Sequence, residues 1–311
     1  MKSKKLKINI FEYGILLFLL CLIAIFSMSS EYFFTFENLT NIVRQISIVG
    51  ISTVAMTMVI LTGGIDLSVG AILALSSVTL AKMLSGGVNM YLAIGVTLVG
   101  GIAMGLINGF LINKIKISPL ISTLGTMTIF RGIAYIVTGG LPVYGFPKEF
   151  SFIGQGYIGS IPVPIFILAG VYIIGFVILY CTKFGVHVYG IGGSEKASLL
   201  SGVKVNLVKY KVYAISGLLA SLAGVVSLSR INSGLPNTGS SFELDVVTAV
   251  VLGGISVNGG SGKLSGVIIG CLIIGILSNG MILLNIGEYY QMVVKGLVLL
   301  IAVGIDNYSK K

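Results

Sequence analysis

Long apolar runs recur along the chain, separated by short polar stretches, and each approaches the roughly 20 residues that cross a bilayer as a helix. Runs such as Ile165–Tyr180 and Leu264–Leu284 are apolar on every face. They lack the alternating pattern, about ten residues long, of a membrane β-strand. The pattern predicts about ten helices, over Ile10–Met28, Ile46–Thr62, Val69–Leu84, Tyr91–Ile112, Pro119–Thr138, Pro164–Cys181, Tyr213–Ser229, Leu244–Leu252, Leu264–Leu284 and Tyr290–Ile305. The eighth is too short to cross unaided, so it either re-enters or is extended by Gly239–Glu243. The expected fold class is all-α: a polytopic integral membrane protein with Gly-rich broken or re-entrant segments, forming one transmembrane domain over residues 1–311.

Composition agrees with the pattern. With 55% hydrophobic and only 10% charged residues, the chain is unlike a soluble domain, which carries about 25% charged residues. A formal net charge of +10 could suggest nucleic acid, but the cations cluster between apolar runs, as the positive-inside rule requires. If the N-terminus is cytoplasmic, then Lys2, Lys4, Lys5 and Lys7, Lys114 and Lys116, the loop from Lys183 to Lys211, Lys263, and Lys310 and Lys311 all face the cytoplasm. The charge therefore reads as topology, with both termini cytoplasmic in a multi-pass plasma-membrane protein that contacts lipid and no nucleic acid. The initial lysines imitate a signal peptide, yet no small-residue cleavage site follows near Ser27, so the first span is read as retained. Cys21, Cys181 and Cys271 lie in or beside apolar runs without pairing or metal spacing, which suits packing residues.

Two loops look ordered. In the cytoplasmic loop Thr182–Val212, Glu195–Val203 can form a short helix after the Gly192-Gly193 break, with Ser194 as its N-cap. The outer loop Gly139–Pro162 carries Pro142, Pro147, Phe146 and Phe150, which suits a structured surface better than a tether. A weak internal repeat is also visible. Val59–Asp66 resembles Val250–Ser256, and Gly105–Gly109 resembles Gly275–Gly280. Each half then has an apolar span, a Gly-Gly break, another span and a helix bearing Asn-Gly. Repeated halves with Gly-interrupted spans point to a transporter whose pathway lies between them.

Candidate chemistry is sparse. Asp66 lies in Gly63–Gly70 between two apolar runs, where a carboxylate must be paired or wetted; it either serves a pathway or caps the following helix. Asn108 and Asn279 sit within spans beside glycines, either as interhelical glue or in a wetted pathway. Arg131 and Arg230 fit snorkelling or carboxylate-paired structural roles. Glu243 and Asp245 cap the short eighth helix or make an external docking contact. Gly100-Gly101, Gly105 and Gly109 read as close helix packing, and Gly253–Gly262 as a tight re-entrant turn. The sequence has no Walker A pattern, and its single histidine, His187, has no metal-ligand spacing around it. An enzyme reading therefore has no support: no catalytic residues, metal or cofactor are expected, and any ATP hydrolysis would belong to a partner.

GGIDLSVG (Gly63–Gly70), NGFLI (Asn108–Ile112), STLGTM (Ser122–Met127), GIGGSEKASLLSGVKV (Gly190–Val205), ELDVVTAVVLGGISVNGGSGKLSG (Glu243–Gly266) and LSNGMILL (Leu277–Leu284) closely resemble the ribose/xylose/galactoside-type permease subunits of ABC sugar importers. The resemblance runs in order over nearly the whole chain. It implies a permease that pairs with a second copy of itself and receives a monosaccharide from an extracytoplasmic sugar-binding protein. It also implies coupling to a cytoplasmic ABC ATPase with two nucleotide-binding halves, through the loop Thr182–Val212. Gly192, Gly193, Ser194, Glu195, Lys196, Ser201 and Gly202 are the expected coupling residues. Asp66, Ser68, Asn108, Ser118, Thr123 and Asn279, assigned by helix position alone, are the expected pathway residues. The family commonly has Asn at Ser194 and Arg at Leu199, which bears on the contacts with the ATPase. A permease for a branched-chain amino acid or nucleoside would share this architecture. An ion-coupled carrier would work without an ATPase, and a purely structural scaffold would transport nothing.

Overall fold

The computed structural model describes residues 10–308. The lysines at positions 2, 4, 5, 7, 310 and 311 lie outside that range. The helices are α1 (Ile10–Ser29), α2 (Phe36–Leu61), α3 (Val69–Ser85), α4 (Met90–Asn113), α5 (Pro119–Thr138), α6 (Ser151–Gln155), α7 (Val163–Cys181), α8 (Lys183–Gly193), α9 (Glu195–Leu200), α10 (Val205–Ile231), α11 (Phe242–Leu252), α12 (Leu264–Leu283) and α13 (Glu288–Tyr308). Every predicted run holds a helix. Six of them, α2, α4, α5, α7, α10 and α12, are long and apolar enough by themselves to cross a membrane. The chain is thus an all-α polytopic membrane protein.

Two helices outrun their apolar signal. α2 begins ten residues before Ile46, at Phe36, where the Thr35 side chain accepts a hydrogen bond from the Asn38 N–H. α10 begins at Val205 and so includes Lys209 and Lys211. At about 1.5 Å per residue, the 26 residues of α2 exceed the roughly 30 Å hydrocarbon core. Hydropathy marks only the part that fits inside that core. α11 is the opposite case: its 11 residues reach about half-way across. Gly239–Ser241 stay outside the helix, so the expected extension amounts to Phe242 and Glu243.

α2 forms the centre. From Ile46 to Leu61 every residue is buried, as expected of a helix apolar all round. α3, α7, α10, α11 and α12 pack against or near it, while α4 and α5 sit further out against α10 and α3. The α4–α10 contact is closest at glycines. A Cβ on Gly105 would overlap the Tyr213 carbonyl, and one on Gly217 would overlap the Gly101 carbonyl. Gly100, by contrast, faces open space, so only part of the expected small-residue stripe works in packing.

The segment 139–162 is ordered, as its composition suggested. Phe150 is fully buried, and Ser229 on α10 donates to the Phe150 carbonyl at 2.6 Å while accepting the Gly154 N–H at 2.7 Å. The short strands β1 (Tyr157–Ile158) and β2 (Ile161–Pro162) close an antiparallel hairpin. The cysteines divide: Cys271 is buried, hydrogen-bonded within 3.3 Å of the Thr53 hydroxyl, whereas Cys21 and Cys181 are exposed. The expectation that all three pack therefore holds for Cys271 alone, because the other two point off the outside of the bundle.

Substituting Gly217→Val forces backbone apart and should cost about 3 kcal/mol, while Gly100→Ala should be neutral. Thermal unfolding of the two purified variants in detergent checks this, and equal melting would show that the α4–α10 contact does not hold the bundle.

Candidate functional site

α2 stops at a glycine pair. Gly63 adopts a left-handed φ of 79°, and the chain then turns through Asp66 before α3 begins. Asp66 is fully buried. Its Oδ1 accepts the Ser68 N–H at 3.0 Å and the Ser68 hydroxyl at 2.6 Å, and its Oδ2 accepts the Ser216 hydroxyl of α10 at 2.6 Å. The Asn108 amide of α4 donates to Ser68 Oγ at 2.7 Å, and Thr126 of α5 donates to Asn108 Oδ1 at 2.6 Å. Thr123 Oγ1 lies 2.9 Å from the Pro119 carbonyl and 3.2 Å from that of Ile65. One buried polar chain thus joins the break to three helices. Asp66 accepts the N–H of Ser68, the residue before α3 begins at Val69, rather than an N–H of the helix itself, and its second oxygen bonds across to α10.

Four expected pathway residues, Asp66, Ser68, Asn108 and Thr123, come together here with no exposed surface. The other two lie elsewhere. Ser118 is exposed at the start of α5, without a side-chain cap bond. Asn279 sits at the far end of α2, where it exchanges amide hydrogen bonds of 2.7 and 3.1 Å with Asn38. Asn279-Gly280 also lies on the helix that directly follows the second break, one helix earlier than Asn108-Gly109 follows the first. The two Asn-Gly pairs therefore do different jobs, and the repeat is confined to the breaks. Sequence reasoning missed Ser216 and Thr126. Their signal was weak, because small hydroxyls are common in apolar helices.

The two breaks meet. The Gly260 N–H donates to the Leu61 carbonyl at 3.0 Å, and a Cβ on Gly192, near the end of α8, would overlap that same carbonyl. The Tyr189 hydroxyl adds a 2.9 Å bond to the Gly262 carbonyl. Beyond this node lies α9, capped by Ser194, whose Oγ accepts the Ala197 N–H at 3.2 Å. The helix ends at Leu200, short of the expected Val203, because Gly202 takes a φ of 80°. Glu195 ties α9 to Lys209 of α10 at 2.8 Å. Gly193, Ser194, Glu195, Lys196, Ser201 and Gly202 are all exposed, and Leu200 is 83% exposed. A polar cavity of about 360 Å³ is lined by Gly63 and Gly64 together with Glu195, Lys209 and Tyr213.

Arg131 is not paired with a carboxylate by contact. It donates to the carbonyls of Pro236, Thr238 and Gly239 at 3.1, 2.6 and 3.0 Å, so it pins the loop before α11. Ser241, the residue before α11, makes no side-chain cap bond. Asp245 binds Lys295 at 2.7 Å, a contact that capping did not foresee.

A bundle of long apolar helices, interrupted by glycine breaks that meet beneath a short exposed helix, defines a membrane protein of the transport class. Residues 38–303 match the family described as branched-chain amino acid transport system / permease component, and the chain belongs to that permease family. It is similar to the ribose import permease protein RbsC of Bacillus subtilis (strain 168), with 48% identity covering 95% of this chain and 92% of that protein. It is 43% identical to the RbsC protein of Escherichia coli (strain K12), covering 95% and 94%. It is 41% identical to the D-allose transport system permease protein AlsC of the same organism, covering 96% and 93%. No solved structure matches the chain.

Asp66→Leu strands the Ser68 and Ser216 hydroxyls, at about 1–3 kcal/mol each, whereas Asp66→Asn keeps polar partners and should cost about 1 kcal/mol. Melting temperatures of the two variants check the network, and equal losses would contradict it.

Proposed function

We propose that the chain is the membrane-spanning subunit of an ATP-driven importer that carries a monosaccharide of the ribose type into the cytoplasm. The observation that carries this reading is the near full-length match to ribose import permeases. The chain forms one permease domain over residues 1–311, with α8, α9 and both termini on the cytoplasmic side. It works as a pair of identical copies. An ABC ATPase with two nucleotide-binding halves engages it from the cytoplasm, an extracytoplasmic sugar-binding protein delivers the solute, and the permease itself hydrolyses nothing.

In this reading α9 is the coupling helix. Closure of the ATPase halves pushes on the exposed surface from Gly193 to Gly202. Gly192 passes the displacement to the ends of α2 and the second break, with no side chain between the backbones to absorb it. The Asp66 network then carries it to α4, α5 and α10, so that the two copies rock between outward- and inward-open states. Asp66, Ser68, Asn108 and Thr123 thereby serve the pathway as the brace behind it. Ser118 stands at its cytoplasmic mouth, and Asn279 fixes its outer half to α2. Selectivity is left to the binding protein, because a tight site at the midpoint would slow release.

The family's description favours a second substrate class, branched-chain amino acids. Uptake of radiolabelled D-ribose, D-allose, L-arabinose and L-leucine into proteoliposomes holding this chain, its ATPase and its binding protein decides between them. We expect monosaccharide uptake that needs all three components and ATP. Leucine uptake, or uptake by this chain alone along an ion gradient, would overturn the reading. Within the same assay, Glu195→Ala combined with Ser201→Arg should abolish ATP-driven uptake; persistence of uptake with the ATPase still bound would remove α9 from the coupling role.

A further inference from the structure

Asp245 and Lys295 take no part in the network described above. Their ion pair is 2.7 Å long, with side chains 17% and 20% exposed. It joins the first turn of α11 to the second turn of α13. Ionisable residues inside the helices of a membrane bundle are costly and mark solute routes by default. This pair opens onto a cavity of about 430 Å³ that is also lined by Ser240, Ser241, Glu288 and Gln291. α12 runs from the second break to Leu283, and Ile282, Glu288 and Gln291 line the cavity where α12 gives way to α13, so it lies in the half of the bundle away from α8 and α9.

The donor set selects a ligand class. Asp245 gives only Oδ2 to Lys295, which leaves Oδ1 available, and Gln291 spends an amide N–H on the Ile286 carbonyl at 2.8 Å, which leaves its amide oxygen. Of the two serine hydroxyls, Ser240 spends its proton on the Asn237 carbonyl at 2.7 Å and keeps its acceptor lone pairs, while Ser241 both donates and accepts. One ammonium against two carboxylates disfavours phosphate or any other anion. The closed ion pair offers no separate positive and negative seats for a zwitterion. What remains suits neighbouring hydroxyls of a neutral polyol, while Leu244, Ile282 and Met292 wall the cavity with apolar surface that a sugar's C–H face can cover. The volume lies at the small end of the roughly 300–1,000 Å³ range of small-molecule sites, which is the scale of a single pentose or hexose.

We propose that this crevice between α11, α12 and α13 is an outer subsite where the incoming monosaccharide rests after leaving its binding protein. The proposal rests on the import reading above and adds to it a place and a set of contacts. The sugar bridges Asp245, Gln291 and the Ser240–Ser241 hydroxyls, and Lys295 keeps Asp245 charged and aimed.

Binding of tritiated D-ribose to the permease–ATPase complex in lipid nanodiscs, without the binding protein, tests it by scintillation proximity. The expected result is weak saturable binding, at about the millimolar level, that excess L-leucine does not compete. Ser240→Ala with Gln291→Met should weaken it about tenfold. Met292→Trp, which fills the crevice from an exposed position and leaves the ion pair intact, should abolish it. Thermal melting confirms that each variant is folded. Absence of saturable binding, binding unchanged in both variants, or competition by leucine overturns the subsite. ATP-driven ribose uptake by the same preparation with its binding protein added separates the two readings: uptake without direct binding sinks the subsite alone, and absence of both sinks the import reading as well.

Discussion

A carboxylate with no exposed surface sits where the central helix of a membrane bundle is broken, and it has to be satisfied locally. Leaving it unpaired would cost more than the fold can spare. Asp66 is satisfied by one backbone N–H and two hydroxyls, and one of those hydroxyls, that of Ser68, is itself bonded onward to Asn108 and Thr126. The break therefore behaves as a joint locked to α4, α5 and α10. A glycine turn alone would flex. With Asp66 in place the turn has one geometry, and the helices around it share it.

Glycine does the complementary work at the surface of that joint. Where Gly192, Leu61 and Gly260 meet, backbone touches backbone, and a side chain there would act as a compressible spacer. The consequence is a short, stiff connection from the exposed α9 to the centre of the bundle. The Glu195–Lys209 pair keeps α9 seated on α10, although at that exposure it is worth under about 1 kcal/mol. Its value is orientation.

Much of this was legible in the sequence, because hydropathy and glycine placement are local signals. The helices, the Ser194 cap, the ordered outer segment and the two glycine breaks are each written in a few consecutive residues. Asp66, Ser68, Asn108 and Thr123 stood out as polar groups in apolar surroundings, and the structure gathers them. Ser216, Thr126, Asn38 and Lys295 were not legible, since each gains its meaning from a partner distant in sequence. A serine in an apolar helix reads the same whether it faces lipid or a carboxylate. The polar first turns of α2 and α10 were missed because a helix continues past the membrane without an apolar stripe to announce it. The repeat was over-read at Asn279, where identical dipeptides occupy unlike places.

The claim that the Asp66 joint makes each copy move as a rigid unit is open to a direct distance measurement. Spin labels at the exposed Ser201, just after α9, and Thr128, on α5, with Cys21 and Cys181 replaced, report that separation by pulsed electron resonance in the assembled transporter. In nanodiscs in which only one copy of the proposed pair carries the labels, the account predicts the same distance distribution without nucleotide and with ATP trapped. A distribution that shifts with ATP would show α9 moving independently of α5 and would contradict the rigid relay.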